Sequence, residues 1–214
     1  MPNATADPIP AAPPGPGAPE APHPGRSPLA AAYGELLAAF DAPFDTHADR
    51  CPHCVADADV AALAGPVADL DAALVGRAVR KAGTTWGGPA DLRRLVPRAL
   101  ALAADHRLPL DRALLWHKLR WAGWPDWSPR QVAAVHRFLA EEWARLLRSE
   151  PRPAHAAHRW LGALPAAAPD LTPFLRAWDD ALGPDAGAEE LRPAACHLAL
   201  LVNASELRPD LPET

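Results

Sequence analysis

Cys51-Pro52-His53-Cys54 is where this sequence comes closest to a chemical motif. Two cysteines two residues apart on a tight turn, which the proline helps to set, can share one metal ion as thiolates. A structural zinc site takes four ligands, commonly Cys and His. His47 stands four residues before Cys51, and His53 lies inside the motif. Cys196 and its neighbour His197 are the distant residues suited to complete the set, once helix packing brings them near. The spacing alone supplies half a site, because no second Cys-x-x-C occurs. The expected ion is zinc, with Cys51, Cys54, His47, His53, Cys196 and His197 as its candidate ligands.

Two other readings of the pair stay open. A Cys-x-x-C also serves thiol redox chemistry, although the βαβ pattern that usually carries it is missing. Asp45, Asp49 and Asp57 lie close in sequence, and carboxylates oppose the lowered thiol pKa that such chemistry needs. Or the cysteines are small buried apolar residues with no chemistry at all.

Charge and aromatic residues give weaker leads. Residues 35 to 71 carry a net −7, residues 77 to 120 a net +7, and residues 170 to 214 a net −6. The basic middle could form a groove for phosphate or nucleic acid, with Trp86, Trp116 and Trp121 as stacking platforms. Its arginines are spread through helical positions, however, and acidic flanks folded back on them, or solvated helix faces, account for the pattern better. Trp116, Trp121, Trp124 and Trp127 cluster around Gly123 and Pro125. Rings of this size brace a helix-loop-helix corner, with indole N–H groups bonding loop carbonyls, more readily than they cage a ligand. His155 and His158 stand three apart among alanines, and His117 and His136 sit singly on helices; none has a metal partner in sequence. Asp179-Asp180 lacks the further acids of a two-metal site. No GxSxG, HExxH or phosphate-binding glycine loop occurs, so no motif supports an enzyme and none excludes one.

The elements that must hold these residues are helical. Ser27-Pro28 reads as an N-cap followed by proline at the first helical position, with Leu29, Tyr33, Leu36, Leu37 and Phe40 at helical spacing. A loop with Pro43, Asp45, Asp49 and Pro52 follows, then a short helix near Asp57. Leu70 to Ala82 marks the next helix, stopped by Gly83. Pro89 and Asp91 open another, in which Pro97 should introduce a kink or move the start later. Leu110-Asp111 begins a helix carrying Lys118. Ser128-Pro129-Arg130-Gln131 is a capping box opening a helix to about Arg148. Three more are expected: from near Pro153 to Leu164, from Thr172-Pro173 to Leu182, and from about Glu189 to Ala204. No alternation of period two calls for strands.

Taken in order, Cys51-Pro52-His53-Cys54-Val55, Thr84-Thr85-Trp86-Gly87, Leu95-Val96-Pro97-Arg98 and Lys118-Leu119 with Trp121, Trp124 and Trp127 resemble an uncharacterised bacterial all-α family. Its motifs are a Cys-Pro-x-Cys-Val turn, a Thr-Thr-Trp-Gly turn and a Leu-Pro-Arg helix. The resemblance covers about residues 35 to 205. It implies the fold and carries no activity with it. Around Pro97 this chain has Leu92, Leu95 and Val96 where the family is richer in aromatics, which argues against an aromatic ligand site on that helix.

Composition sets the outer bounds. Of 214 residues, 49% are apolar and 22% charged, as in a packed globular domain. The expected architecture is all-α: a single irregular array of about eight or nine helices over residues 28–207. A disordered Pro/Ala/Gly-rich tail over 1–27 precedes it, holding nine of the 27 prolines, and a short C-terminal tail over 208–214 follows. No apolar run approaches the length of a membrane span, and the N-terminus lacks the pattern of a signal peptide. Three cysteines make no disulfide framework, so a cytoplasmic location is expected. A net charge of −5 argues against nucleic acid as the partner, leaving a protein or small molecule that the sequence does not name. The function so read is a non-catalytic helical binding or adaptor module with a structural zinc; the alternative is a small metal-dependent or thiol-redox enzyme using Cys51 and Cys54.

Overall fold

The structure, a computed structural model, describes residues 27–41, 50–152, 157–166, 168 and 170–206. Most of the expected N-terminal tail, residues 1–26, lies outside them, as do His47, His155 and residues 207–214. The described chain is all-α. Nine helices follow one another: α1 (Pro28–Ala39), α2 (Asp57–Leu63), α3 (Ala72–Lys81), α4 (Pro89–Ala104), α5 (Arg112–Trp121), α6 (Pro129–Leu147), α7 (Ala157–Ala163), α8 (Thr172–Leu182) and α9 (Ala188–Glu206), with short 3-10 turns between some of them.

Local chemistry sets several of these starts. Ser27 Oγ accepts the Ala30 N–H at 3.2 Å, and Asp111 Oδ1 accepts from Ala113 and Leu114 at the head of α5. Each spares a donor that the first helical turn would leave orphaned. Asp91 reaches back to the Gly88 N–H at 2.8 Å and fixes the start of α4 at Pro89. Pro97 therefore sits inside an uninterrupted α4, buried, and does not delay its start. The expected capping box at α6 is half formed: Ser128 Oγ accepts the Gln131 N–H at 3.4 Å. The Gln131 carboxamide does not return to the Ser128 backbone; it accepts from the Ser128 hydroxyl and from Arg93.

The helices pack as an irregular array. α1 lies along α6, α3 against α4 and α5, and α9 against α6, α7 and α8. One apolar core runs through all of it. At the C-terminal end Trp143 is the hub: its ring lies 4.9 Å from Trp160, 5.6 Å from Trp178 and 6.4 Å from Phe174. Such pairs add about 0.5–1.5 kcal/mol each beyond burial. Trp143 Nε1 donates to the Phe174 carbonyl at 2.8 Å, and Trp178 Nε1 to that of Ala194 at 3.1 Å. At the predicted corner Trp127 Nε1 donates to the Ala122 carbonyl at 3.0 Å, so that ring braces the turn as expected. Trp124 is buried there too, but its Nε1 finds no partner among the described residues.

The basic middle stretch is largely spent inside the fold. Arg94 is buried and donates to the carbonyls of Leu63 at 2.6 Å and Gly65 at 2.7 Å, where α2 ends. Arg98 Nε donates to Leu70 O, Arg80 to Pro109 O, and Lys118 to Ala82 O. Folding back of the acidic flank accounts for Arg77, which pairs with Asp59 at 2.8 Å, and the other cations named here bind carbonyl ends. Replacing Arg94 by Leu should strand two carbonyl oxygens. The expected loss is about 3 kcal/mol, read as a lower urea midpoint at unchanged m, with Arg94→Lys recovering part of it. An unchanged midpoint for Arg94→Leu would mean that water serves these carbonyls equally well.

Candidate functional site: the dithiol turn

The turn after α3 is built first. The Lys81 carbonyl accepts three successive N–H groups, from Thr84, Thr85 and Trp86, and also the Thr84 hydroxyl at 2.7 Å. Gly83 and Gly87 make this possible with φ of +74° and +64°. A Cβ on Gly83 would stand 2.5 Å from the Trp121 ring, so only glycine lets that half-exposed indole lie over the turn. Trp86 is buried beneath it.

The Cys51-Pro52-His53-Cys54 segment docks on this platform. Arg50 and Trp86 form an isolated antiparallel bridge, and the Cys51 N–H donates to the Thr85 carbonyl at 2.9 Å. The Cys51 carbonyl accepts from Cys54 at 3.0 Å and Val55 at 3.1 Å, closing a tight turn. Val55 is buried and pins the turn from below. Lys81 Nζ donates to the Cys54 carbonyl at 3.0 Å. The chain's only two lysines thus both end near this turn, Lys81 on Cys54 and Lys118 on Ala82. Their rarity beside nineteen arginines was the available signal, and neither was predicted as a site residue.

The two sulfurs differ. Cys51 is half-buried and Cys54 exposed. Hydrogen bonding from the Cys54 side chain, and then from the His53 and Cys54 amides, favours the charged form of Cys51. With Lys81 close by, these contacts hold the Cys51 thiol below its ordinary pKa. The same hydrogen bond and the charge it leaves on Cys51 push Cys54 up. Asp57, expected to oppose an acidified thiol, pairs with Arg50 at 2.5 Å. The electrostatics around the pair are therefore set by donors and a cation. Asp45 and Asp49 lie outside the described residues.

The other candidate ligands among the described residues are His53, Cys196 and His197. His53 is exposed on the turn itself. Cys196 is half-buried on α9. His197 is fully buried: its Nδ1 accepts the Ala157 N–H at 3.2 Å, and its Nε2 lies 2.9 Å from Leu146 O and 3.1 Å from Ser149 O. Accepting at Nδ1 puts the proton on Nε2, so a neutral ring joins α9 to the end of α6 and the start of α7. The structure brings Cys51 and Cys54 together and does not bring Cys196 or His197 to them. Their helix packs on α6, α7 and α8, whereas the dithiol turn packs on the α3–α4 turn. Among the described residues no group of three or more His, Cys, Asp or Glu could hold a metal ion. The His136 ring lies tilted, 5.4 Å from that of Trp124, and His117 is exposed.

In comparisons with protein-family models, curated proteins and solved structures, nothing matches this chain. Among the described residues no helix is long and apolar enough to cross a membrane.

Two outcomes follow from this geometry. In Cys54→Ala the Cys51 sulfur loses the side chain that most lowers its pKa, so the midpoint of its iodoacetamide alkylation rate against pH should move upward; an unmoved midpoint would deny the S–H contact. Burial holds the His197 pKa down, so the unfolded chain binds its proton more readily. Stability should be full above about pH 6.5 and fall as pH drops below it. His197→Gln should flatten that slope in urea titrations at stepped pH, and an identical slope would remove His197 as its source.

Proposed function

We propose that this chain is a helical thiol protein whose working element is the Cys51–Cys54 pair, acting in thiol–disulfide exchange. The observation that carries this reading is the closed turn that sets the two cysteines side by side, with the Cys51 carbonyl holding the Cys54 and Val55 amides and Lys81 bound to the Cys54 carbonyl; in that setting the Cys51 thiol is held below its ordinary pKa and Cys54 is pushed up. This set needs no further residue to react. The Cys51 thiolate attacks one sulfur of a substrate disulfide, forming a mixed disulfide and expelling the other half as a thiolate. Cys54 then loses its proton and attacks the Cys51 sulfur. A Cys51–Cys54 disulfide forms, the second substrate thiol leaves, and the pair has given two electrons to the substrate. A closed i to i+3 turn brings the two Cα atoms within the span a disulfide bridges.

A second reading, structural zinc on the same turn, draws support from the same amide donors, which would equally steady a metal-bound thiolate. Cys51 and Cys54 would be two ligands, with His53 and His47 as the nearest candidates for the others. On that reading the protein is a non-catalytic binding module.

One preparation, purified without a metal-affinity tag, separates the two. The exchange reading expects metal-free protein that equilibrates with glutathione redox buffers as a two-electron couple, abolished in Cys51→Ser and in Cys54→Ser. One equivalent of zinc that protects both thiols from alkylation, and whose removal lowers the melting temperature, would replace it with the structural-metal reading.

A further inference from the structure

A second feature lies away from the dithiol turn and is independent of it. A cavity of about 970 Å³ opens between the C-terminal ends of α4 and α6, the start of α5, and α7. That is the size of a small-molecule site. Its wall mixes apolar side chains, including Leu108, Leu110 and Trp160, with four arginines and four acids.

The charges do not cancel once their partners are assigned. Glu142, buried, binds Arg112 at 2.7 Å, and Arg112 also donates to the Ala103 carbonyl. Asp105 pairs with Arg145, which also donates to the Ala104 carbonyl at 2.5 Å. Asp111 caps α5. Glu150 pairs with Arg192, which does not line the cavity. Every acid of the wall is committed, and so are the last carbonyls of α4. Arg152 and Arg159 are exposed, line the cavity, and form no ion pair or hydrogen bond among the described residues.

We propose that this cavity binds a small organic anion with an apolar body, its carboxylate received by Arg152 and Arg159. Guanidinium groups are suited to that task because their planar fork matches a carboxylate. A neutral or cationic guest gains nothing from these two guanidiniums, whereas an anion gains two donors that no described residue uses. The apolar wall supplies affinity for the body of the molecule and no preference for charge, so the charge preference isolates the two arginines.

The test uses isothermal titration calorimetry with the full chain and an isosteric pair of probes, 2-naphthoate and its neutral analogue 2-naphthamide. Naphthoate should bind at least tenfold more tightly than the amide. Arg152→Glu with Arg159→Glu should cost tenfold or more for naphthoate and leave the amide little changed. Gly162 lines the same cavity, and a Cβ there meets nothing within 4 Å. Gly162→Leu should therefore fold at least as well as the wild type while blocking both probes. Absence of naphthoate binding, equal affinity for the two probes, or binding untouched by the arginine pair and by Gly162→Leu would each overturn the proposal.

Discussion

Short helices end in carbonyl groups that nothing in the helix can satisfy, and this fold meets that need from a distance. α1, α2 and α4 carry no basic residue in their own last turns. Their ends are covered instead by cations on other elements: Ala38 O by Arg130, Leu63 O by Arg94, and Ala103 O and Ala104 O by Arg112 and Arg145. The end of α3 receives Lys118, and the end of α6 receives the His197 ring. Each contact places an N–H donor at the negative end of a helix, charged in every case but the neutral His197 ring, and ties two elements in one step. Hydrophobic burial holds the helices together, but it is indifferent to small sliding. The carbonyl caps give each helix end a defined neighbour, and the irregular array inherits its register from them.

The dithiol turn depends on the same device, with a change of cation. Most of these caps come from arginine, whose fork can hold two carbonyls at once, as Arg94 does. Around the turn the cations are lysines. An ammonium is a compact point charge with three donors. Lys81 can hold the Cys54 carbonyl and still act on the Cys51 sulfur through its charge. The turn after α3 thus has two tasks in one set of residues. Gly83 and Gly87 let the backbone fold under Trp121 and against Asp91, and the Thr85 carbonyl left exposed by that fold is what Cys51 docks on. Strain or loss at Gly83 would therefore reach the thiols through two hydrogen bonds.

Much of this was legible in the sequence where the cause is local. Ser27, Asp111 and Ser128 start the helices expected of them, because a cap needs only its own next three residues. Apolar spacing located the buried faces, and the paired cysteines announced a common turn. What the sequence hid was long-range. Arg93 taking up the Gln131 carboxamide, thirty-eight residues away, is why the capping box is incomplete. The basic stretch from Arg77 to Arg120 looked like a surface to be read by a partner or shielded by acids, because nothing in a linear sequence marks a carbonyl as its target. Cys196 and His197 looked like completing ligands for the same reason. A histidine beside a cysteine suggests a metal, and only the packing of α6, α7 and α9 reveals that three backbone groups already use both nitrogens of His197.

Assigning each cation its carbonyl also separates structural charge from charge that is free for something else. In a chain with nineteen arginines, abundance says nothing about purpose. A guanidinium buried against two carbonyls cannot be withdrawn without unfolding what it caps, so it is unavailable to any ligand. A guanidinium on a cavity wall with no partner among the described residues costs the fold little to redirect. The same distinction applies to sulfur. Cys196 is a half-buried side chain on α9 with no sulfur beside it in a ligand-like group. Cys51 lies in a closed turn beside Lys81, and hydrogen bonding from Cys54 and nearby amides holds its thiol below the ordinary pKa. Such contacts favour the thiolate over the thiol, and it is on that preference that the exchange reading of the turn rests.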